Sequence, residues 1–204
     1  MHTIKSLAEL EAIYNIKPVL ASTAKESDHI TPAYAKLIEH SPFVALATSG
    51  PEGLDCSPRG DAGSVVRILD SKTLAMPDRR GNNRIDTLRN IIADPRVALL
   101  FLLPGSGTTF RVNGTAVITT APEILKSFTM EGQPPRSVII ITVQIAYFQC
   151  ARAVIRAGLW DTSKHIPAGT LPTPGEILEP LSQGEISAQT YDREWPERAK
   201  KSMW

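Results

Sequence analysis

The sequence predicts a mainly β fold with inserted helices: six or seven antiparallel strands rolled into a closed or split β-barrel. Three observations carry this. From residue 43 to about residue 150, short apolar or alternating runs of strand length are separated by turn residues. Helix signals fall between some strands and not after every one, which argues against a doubly wound parallel sheet. Finally, 204 residues at 42% hydrophobic content supply one good core and are too few for two large domains. The expected organisation is a single domain with N-terminal helices over 1–41, a barrel core over 42–162 and a proline-rich arm over 163–204.

Taken in order, Ser6 and Glu9 form a capping box ahead of Leu7, Leu10, Ile13 and Tyr14 at helical spacing. Thr31 opens a second helix, with Pro32 in its first turn and "AYAKLIEH" continuing it. "FVALATS" and "LDCSPRG" are strands around the turn "GPEG", and "SVVRILD" and "TLAMPD" are strands around Ser71-Lys72. A helix is expected over 83–93, stopped by Asp94-Pro95. "RVALLFLL" and "TFRVNGTAVIT" flank "PGSG", and "SVIIITVQIAYFQC" is a long β-branched strand. Between the last two strands Thr120 and Glu123 suggest another capping box and a short helix. The run "IPAGTLPTPGEILEP" reads as extended, and Trp195 and Trp204 near the end suggest that this arm docks on the barrel or on a partner subunit.

Composition excludes several function classes. Lysines and arginines number 22 against 21 acidic residues, so no global field points to nucleic acid or an anionic membrane. No apolar run reaches the length of a membrane span, and "MHTIKSLAELEAIYNI" lacks the order of a signal peptide, so a cytoplasmic protein is expected. Cys56 and Cys150 are far apart, with no CxxC and no Cys/His cluster. They are expected as reduced, partly buried thiols, with no metal site. The four histidines lie outside the barrel block and receive no role.

Polar groups concentrate in four places. "MPDRRGNNRIDTLRNII" puts Arg79, Arg80 and Arg84 at a helix mouth, with Asn82 or Asn83 as N-cap. Unpaired N–H groups, the helix dipole and forked guanidinium donors together suit a phosphate. The competing view is a well-capped helix beside a solvated arginine turn. Neither the GxGxxG nor the GxxxxGK[ST] loop is present. "CSPRGDAGS" offers Ser57, Arg59 and Asp61 at a strand end. "TTFRVNGTA" sets Thr109, Arg111 and Asn113 on one strand face. In "FQCARAVIRAGLWD", Arg152, Arg156 and Trp160 recur at spacing four, as on one helix face. No catalytic acid or base can be assigned; Asp61 and Asp78 are the carboxylates nearest the expected site.

The run "SVVRILDSKTLAMPDRRGNNRIDTLRNIIADPRVALLF", followed by "FRVNGTA", resembles the core of the pyridoxamine 5'-phosphate oxidase-like flavoproteins, with their FMN-binding split β-barrel. "CSPRGD", "PDRRGNNR", "RVNGTA" and "CARAVIRAGLWD" are similar to the branch described as FMN-dependent enzymes of unknown substrate. The resemblance spans about residues 40–162 and returns in "YDREWPERAKKSMW". It implies that the family's phosphate-gripping Ser-Arg-Lys run falls on Asn82, Asn83 and Arg84, and its flavin-touching pair on Pro77 and Asp78. A ring-contacting glutamine falls near Thr109, beside Arg111. FMN needs a dianion site, a flat apolar slot and donors along the pyrimidine edge of its ring. Arg84, Asn82 and Arg79 can serve the first and backbone groups around Arg59 to Val66 the third, with Ser57 and Arg67 as further expected contacts. The resemblance implies that Trp160 or the C-terminal arm closes the slot.

Asp70 stands where the oxidase has a lysine, so Arg59 or Arg79 has to supply that charge. The residues for pyridoxine phosphate are not recognisable, so oxidation of vitamin B6 itself is not expected. The resemblance implies a homodimer with flavin sites between subunits. Its activity would be that of an FMN-dependent oxidoreductase, moving hydride or electrons between FMN and a small organic substrate, with NADH or NADPH a candidate donor. The alternatives are a non-enzymatic flavin carrier, store or sensor, or the same barrel holding a deazaflavin or haem.

Overall fold

Alternation of large apolar side chains sets the architecture. In the computed structural model, which describes residues 2–203, seven strands form one antiparallel sheet: β1 (Phe43–Gly50), β2 (Gly53–Gly60), β3 (Arg67–Asp70), β4 (Thr73–Pro77), β5 (Arg96–Leu102), β6 (Thr109–Thr119) and β7 (Val138–Gln149). The order across the sheet is β2-β1-β5-β6-β7-β4-β3. Every second residue points inward, so Val44 and Leu46, Leu99 and Phe101, Phe110 and Val112, and Ile139 and Ile141 fill the barrel.

The described residues also form eight α-helices: α1 (Leu7–Ile13), α2 (Leu20–Thr23), α3 (Pro32–Glu39), α4 (Asp86–Ala93), α5 (Pro122–Ser127), α6 (Arg152–Ala157), α7 (Pro174–Leu181) and α8 (Ala188–Ser202). Helix α3 is capped by Thr31 and carries Tyr34 and Ile38 into the core, where the Tyr34 ring lies 4.8 Å from that of Phe110. Helix α4 covers β1: buried Asn90 donates from Nδ2 to Thr48 Oγ1 at 3.2 Å, and Ile91 enters the core.

Several expectations are corrected. The strand expected over "SVVRILD" begins only at Arg67. The helix expected from 83 begins at Asp86, because Asn83 adopts φ 64° and Asn82 Oδ1 accepts from Arg84 N–H at 3.0 Å, closing a turn ahead of the helix. Neither asparagine is therefore its N-cap, which is Ile85. No capping box forms at Thr120 and Glu123; the neighbouring Thr119 hydroxyl accepts from Ala121 N–H and the helix follows with Pro122 in its first turn. Trp160 lies beyond the end of α6, which Gly158 stops in the left-handed conformation, so it does not share a helix face with Arg152 and Arg156.

The arm expected to be extended folds into the α7–α8 hairpin: Thr173 and Glu176 make a true capping box, Pro174 takes the first turn, and Asp192 of α8 accepts from Gly175 N–H at 2.9 Å. Trp195 stacks on Tyr191 within α8 and stays half exposed, while Trp204 lies outside the described residues. The two thiols, expected to be partly buried, are both exposed. Cys56 sits on the outward face of β2, opposite Ala47.

Candidate functional site

The barrel wall changes chemistry at β2. Its inward-facing positions are Asp55, Ser57 and Arg59, paired in register with Thr48, Leu46 and Val44 of β1. Polar groups on an inward face need partners or solvent, and here the wall opens. A cleft of about 1190 Å³ lies between β2, the end of β4, the loop 78–85, the start of α4 and the segment before β7.

Five arginines (Arg59, Arg79, Arg80, Arg84 and Arg136) and three aspartates (Asp55, Asp78 and Asp86) line this cleft. Arg59 Nη1 donates to Asp78 Oδ1 at 2.8 Å, joining β2, one edge of the sheet, to the end of β4, which is next to the other edge. The Asp78 backbone is fixed in turn, its N–H donating to Ser137 O at 3.0 Å. Arg84 is largely exposed and donates from Nε to Asp86 Oδ2 at 2.9 Å. Arg136 donates from Nη1 to Asn83 Oδ1 at 2.8 Å and so supports the positive-φ turn. Asp55 accepts from Ser57 Oγ at 2.9 Å and also from Thr87 Oγ1.

A second cavity of about 400 Å³ adjoins the first and shares Arg79 with it. Val66, Ile68, Pro77, Phe128 and Met130 give it apolar walls, and Asp61 and Arg67 add polar groups. Arg79 bonds Asp61 through Nε at 2.8 Å and donates from Nη1 to Phe128 O at 2.7 Å. Arg67 lies 3.9 Å over the Phe128 ring and donates to Ser127 Oγ at 2.8 Å.

Most of the residues expected from sequence meet in these two cavities. Ser57, Arg59, Asp78, Arg79, Asn82, Asn83 and Arg84 line the first, and Val66, Arg67, Pro77 and Arg79 the second. Thr109, Arg111 and Trp160 line neither. Arg111 projects from the outward face of the sheet in the row Pro58, Ala45, Leu100, Arg111, Tyr147, with Thr109 in the next row beside Leu102. Trp160 is tied by its Nε1–H to Ser106 O at 2.7 Å. Sequence reasoning missed Asp55, Thr87, Arg136 and Phe128. The period of two from Ser57 and Arg59 marks Asp55, whereas Arg136 is brought in only by the pairing of β4 with β7.

The first cavity fits a phosphate-bearing ligand: arginines outnumber carboxylates, and Arg59 Nε is buried with no hydrogen-bond partner among the described residues. The apolar wall of the second cavity, beside the charged Glu39, Asp61, Arg67 and Arg79, fits one face of a flat ring. No group of three or more potential metal-ligating side chains is arranged to hold a metal among the described residues, and no helix among them is long and apolar enough to cross a membrane.

Known proteins share the fold of this chain. HupZ of Group A Streptococcus is similar in fold, with a TM-score of 0.50 and 22% identity over 59% of this chain and 94% of that one. A proposed pyridoxamine 5'-phosphate oxidase from Lactobacillus delbrueckii matches with a TM-score of 0.48 and 21% identity, over 59% of this chain and 95% of that one. No curated protein sequence matches significantly. The profile of the pyridoxamine 5'-phosphate oxidase family matches residues 30–150, more than half of the sequence, and with the split barrel described above this places the chain in that family.

Proposed function

We propose that this protein binds FMN across the two joined cavities and acts as a homodimeric FMN-dependent oxidoreductase on a small organic substrate, with NADH or NADPH as a candidate electron donor. The observation that carries this is the division of labour around Arg79: an arginine-rich cleft on one side and, on the other, a pocket with one apolar wall of Val66, Ile68, Pro77, Phe128 and Met130. FMN presents that pair of chemistries, a phosphate dianion and a flat ring. Family membership supports a flavin-binding fold. Arg84, Arg136 and Arg59 would hold the phosphate, while Val66, Pro77 and Phe128 would flank the ring. Bound FMN would supply hydride or electron transfer, which no side chain offers. The chain's own contribution is to bind, orient and exclude water.

The outward face of β1 and β5 supports the dimer. Phe43, Ala45, Ala47, Ala98, Leu100 and Leu102 form a continuous, half-exposed apolar patch there. Thr109 and Arg111 lie in the same rows, so a second copy seated on this face is the route by which they would reach a flavin.

One observation favours the second reading, a flavin carrier, store or sensor. Each aspartate of the first cavity is already engaged, Asp55 by hydroxyls and Asp78 and Asp86 by arginines, so none of these three stands ready as an acid or base, and the carboxylate left for that work is Glu39 in the second cavity.

Titration of the apoprotein with FMN and with riboflavin, followed by anaerobic mixing with NADH or NADPH, tests both. Tight FMN binding that weakens in Arg84→Ala, with flavin bleaching on reduction, supports the enzyme. Binding without reduction by any screened donor favours the carrier. A protein that ignores added FMN overturns both.

A further inference from the structure

The two ion pairs that cross the open seam differ in quality. Arg79 meets Asp61 through Nε and Nη2, at 2.8 and 2.7 Å, and gives its third nitrogen to Phe128 O. Arg59 meets Asp78 through Nη1 alone. Its Nε is buried without an acceptor, and among the described residues it is the one buried side-chain nitrogen or oxygen so left. A single-point pair with an orphaned donor uses less of the guanidinium fork than a two-point pair, and the orphan carries a desolvation cost. Both side chains are about one-fifth exposed, at 19% and 21%, and both stand on the wall of the cleft. The Asp78 backbone is fixed to Ser137, so its carboxylate can leave Arg59 by side-chain rotation alone.

We propose that Asp78 is an exchangeable internal anion, which holds Arg59 in the conformation described and yields it to the phosphate group of an incoming ligand. Asp78 is thereby the residue that selects dianions. This inference rests on the anion site proposed above. A carboxylate carries one negative charge and a phosphate monoester between one and a half and two near neutral pH. A monoanion entering the cleft therefore replaces Asp78 at no electrostatic advantage, whereas a phosphate gains charge and lets the fork of Arg59 donate from more than one nitrogen. The exchange makes and breaks no covalent bond; it moves one guanidinium from an internal to an external acceptor.

Calorimetric titration of the full chain with inorganic phosphate, nitrate, FMN and riboflavin tests the exchange in wild type, Asp78→Asn, Arg59→Gln and the double variant. Removing the internal competitor is expected to raise the affinity of Asp78→Asn for phosphate and FMN by about fivefold or more, the factor by which a competing conformation masks a site. Nitrate, rejected by the wild type, is expected to bind Asp78→Asn, and riboflavin, which has no phosphate, to show no comparable gain. The gain is expected to vanish in the Arg59→Gln background. Asp78→Ser is the second variant should Asp78→Asn fold poorly, with melting temperature as the check.

An unchanged or weakened phosphate affinity in folded Asp78 variants overturns the proposal, as does a gain that survives Arg59→Gln or a failure of every variant to bind phosphate. A phosphate gain in a chain that ignores FMN leaves the exchange standing and sinks the flavin reading. FMN binding with no gain in Asp78→Asn does the reverse.

Discussion

Arg79 and Asp61 face each other at the junction of the two cavities, with Nε 2.8 Å and Nη2 2.7 Å from one carboxylate oxygen. The Asp61 side chain is only 9% exposed. This pair is at once a staple across the barrel seam and the partition between the arginine-lined cleft and the pocket walled by Val66, Pro77 and Phe128. Stability and ligand geometry therefore meet in one contact.

Arg79→Gln should destabilise the fold by about 3 kcal/mol, because it leaves the Asp61 carboxylate buried without its counter-charge. Combining it with Asp61→Asn should recover part of that loss, since the uncompensated charge is gone. Urea unfolding of the two single variants and the double measures both effects. Equal stability of the single and double variants would show that the charge is not what matters.

Gly114 is where β6 shifts register against β7, between Asn113 and Gly114. A Cβ there would stand 2.0 Å from the backbone oxygen of Thr142, which cannot swing away as a side chain can. Gly114→Ala should therefore cost about 2–3 kcal/mol through strain in the paired strands. Circular dichroism in urea would show it as a lowered midpoint with an unchanged slope. The glycine of "RVNGTA" is thus required by the bulge.

The strands were legible because their period of two is written in large apolar residues, as in "FVALATS" and "RVALLFLL", and because each hairpin carries its own turn residues. The start of α4 was misread because asparagine serves equally as a helix cap and as a turn former. Asn82 and Asn83 took the second role, and φ 64° at Asn83 leaves no sequence trace beyond the residue type. The C-terminal hairpin was hidden by its prolines: composition said extended, yet Pro174 sits where a helix tolerates it, directly after its cap Thr173. Within the site, Arg79 and Arg84 were visible as a local cluster. Arg136 was not, because only the register of Pro77 with Val138 brings it beside Asn83.

Acid stability should depend on Asp28. Lys72 first, and His29 second, hold its carboxyl at a pKa of about 2, against the ordinary 3.8. Lys72 Nζ stands 2.6 Å from Asp28 Oδ2 and ties the approach to α3 to the turn between β3 and β4. A carboxyl whose pKa is depressed in the folded state contributes stability that is complete above the unfolded value. That contribution is lost as pH falls from about 4 through about 2. Asp28→Asn should therefore flatten the melting-temperature profile over that window and leave it unchanged near neutrality relative to its own plateau. The pair is exposed, so added salt should shrink the difference.

Arg136→Ala separates the phosphate end of the cleft from the ring end. Arg136 lines the first cavity and steadies Asn83, and it is absent from the walls of the second. If the phosphate of FMN occupies the first cavity, this variant should bind FMN about tenfold more weakly, the loss expected for one hydrogen bond to a charged group. Riboflavin, which has no phosphate, should bind the variant as it binds the wild type. Parallel fluorescence titrations with the two flavins make the comparison, and equal losses for both would place Arg136 in a purely structural role.

Ala45→Arg addresses the apolar face on the outside of the sheet. Ala45 is central to it, opposite Leu100 on one side and Pro58 on the other, and its neighbours on the same face are Phe43 and Ala47. An arginine here points away from the barrel core, so the monomer fold should survive. A long charged side chain in the middle of a close-packed apolar interface would have to be buried without a partner, which a dimer cannot accommodate cheaply. Sedimentation velocity should then show a dimer for the wild type and a monomer for Ala45→Arg, with matching far-ultraviolet dichroism. FMN titration of the same variant carries the argument one step further. Thr109 and Arg111 share this face, so a flavin site completed by the second chain loses affinity with the dimer, whereas a site complete within one chain keeps it.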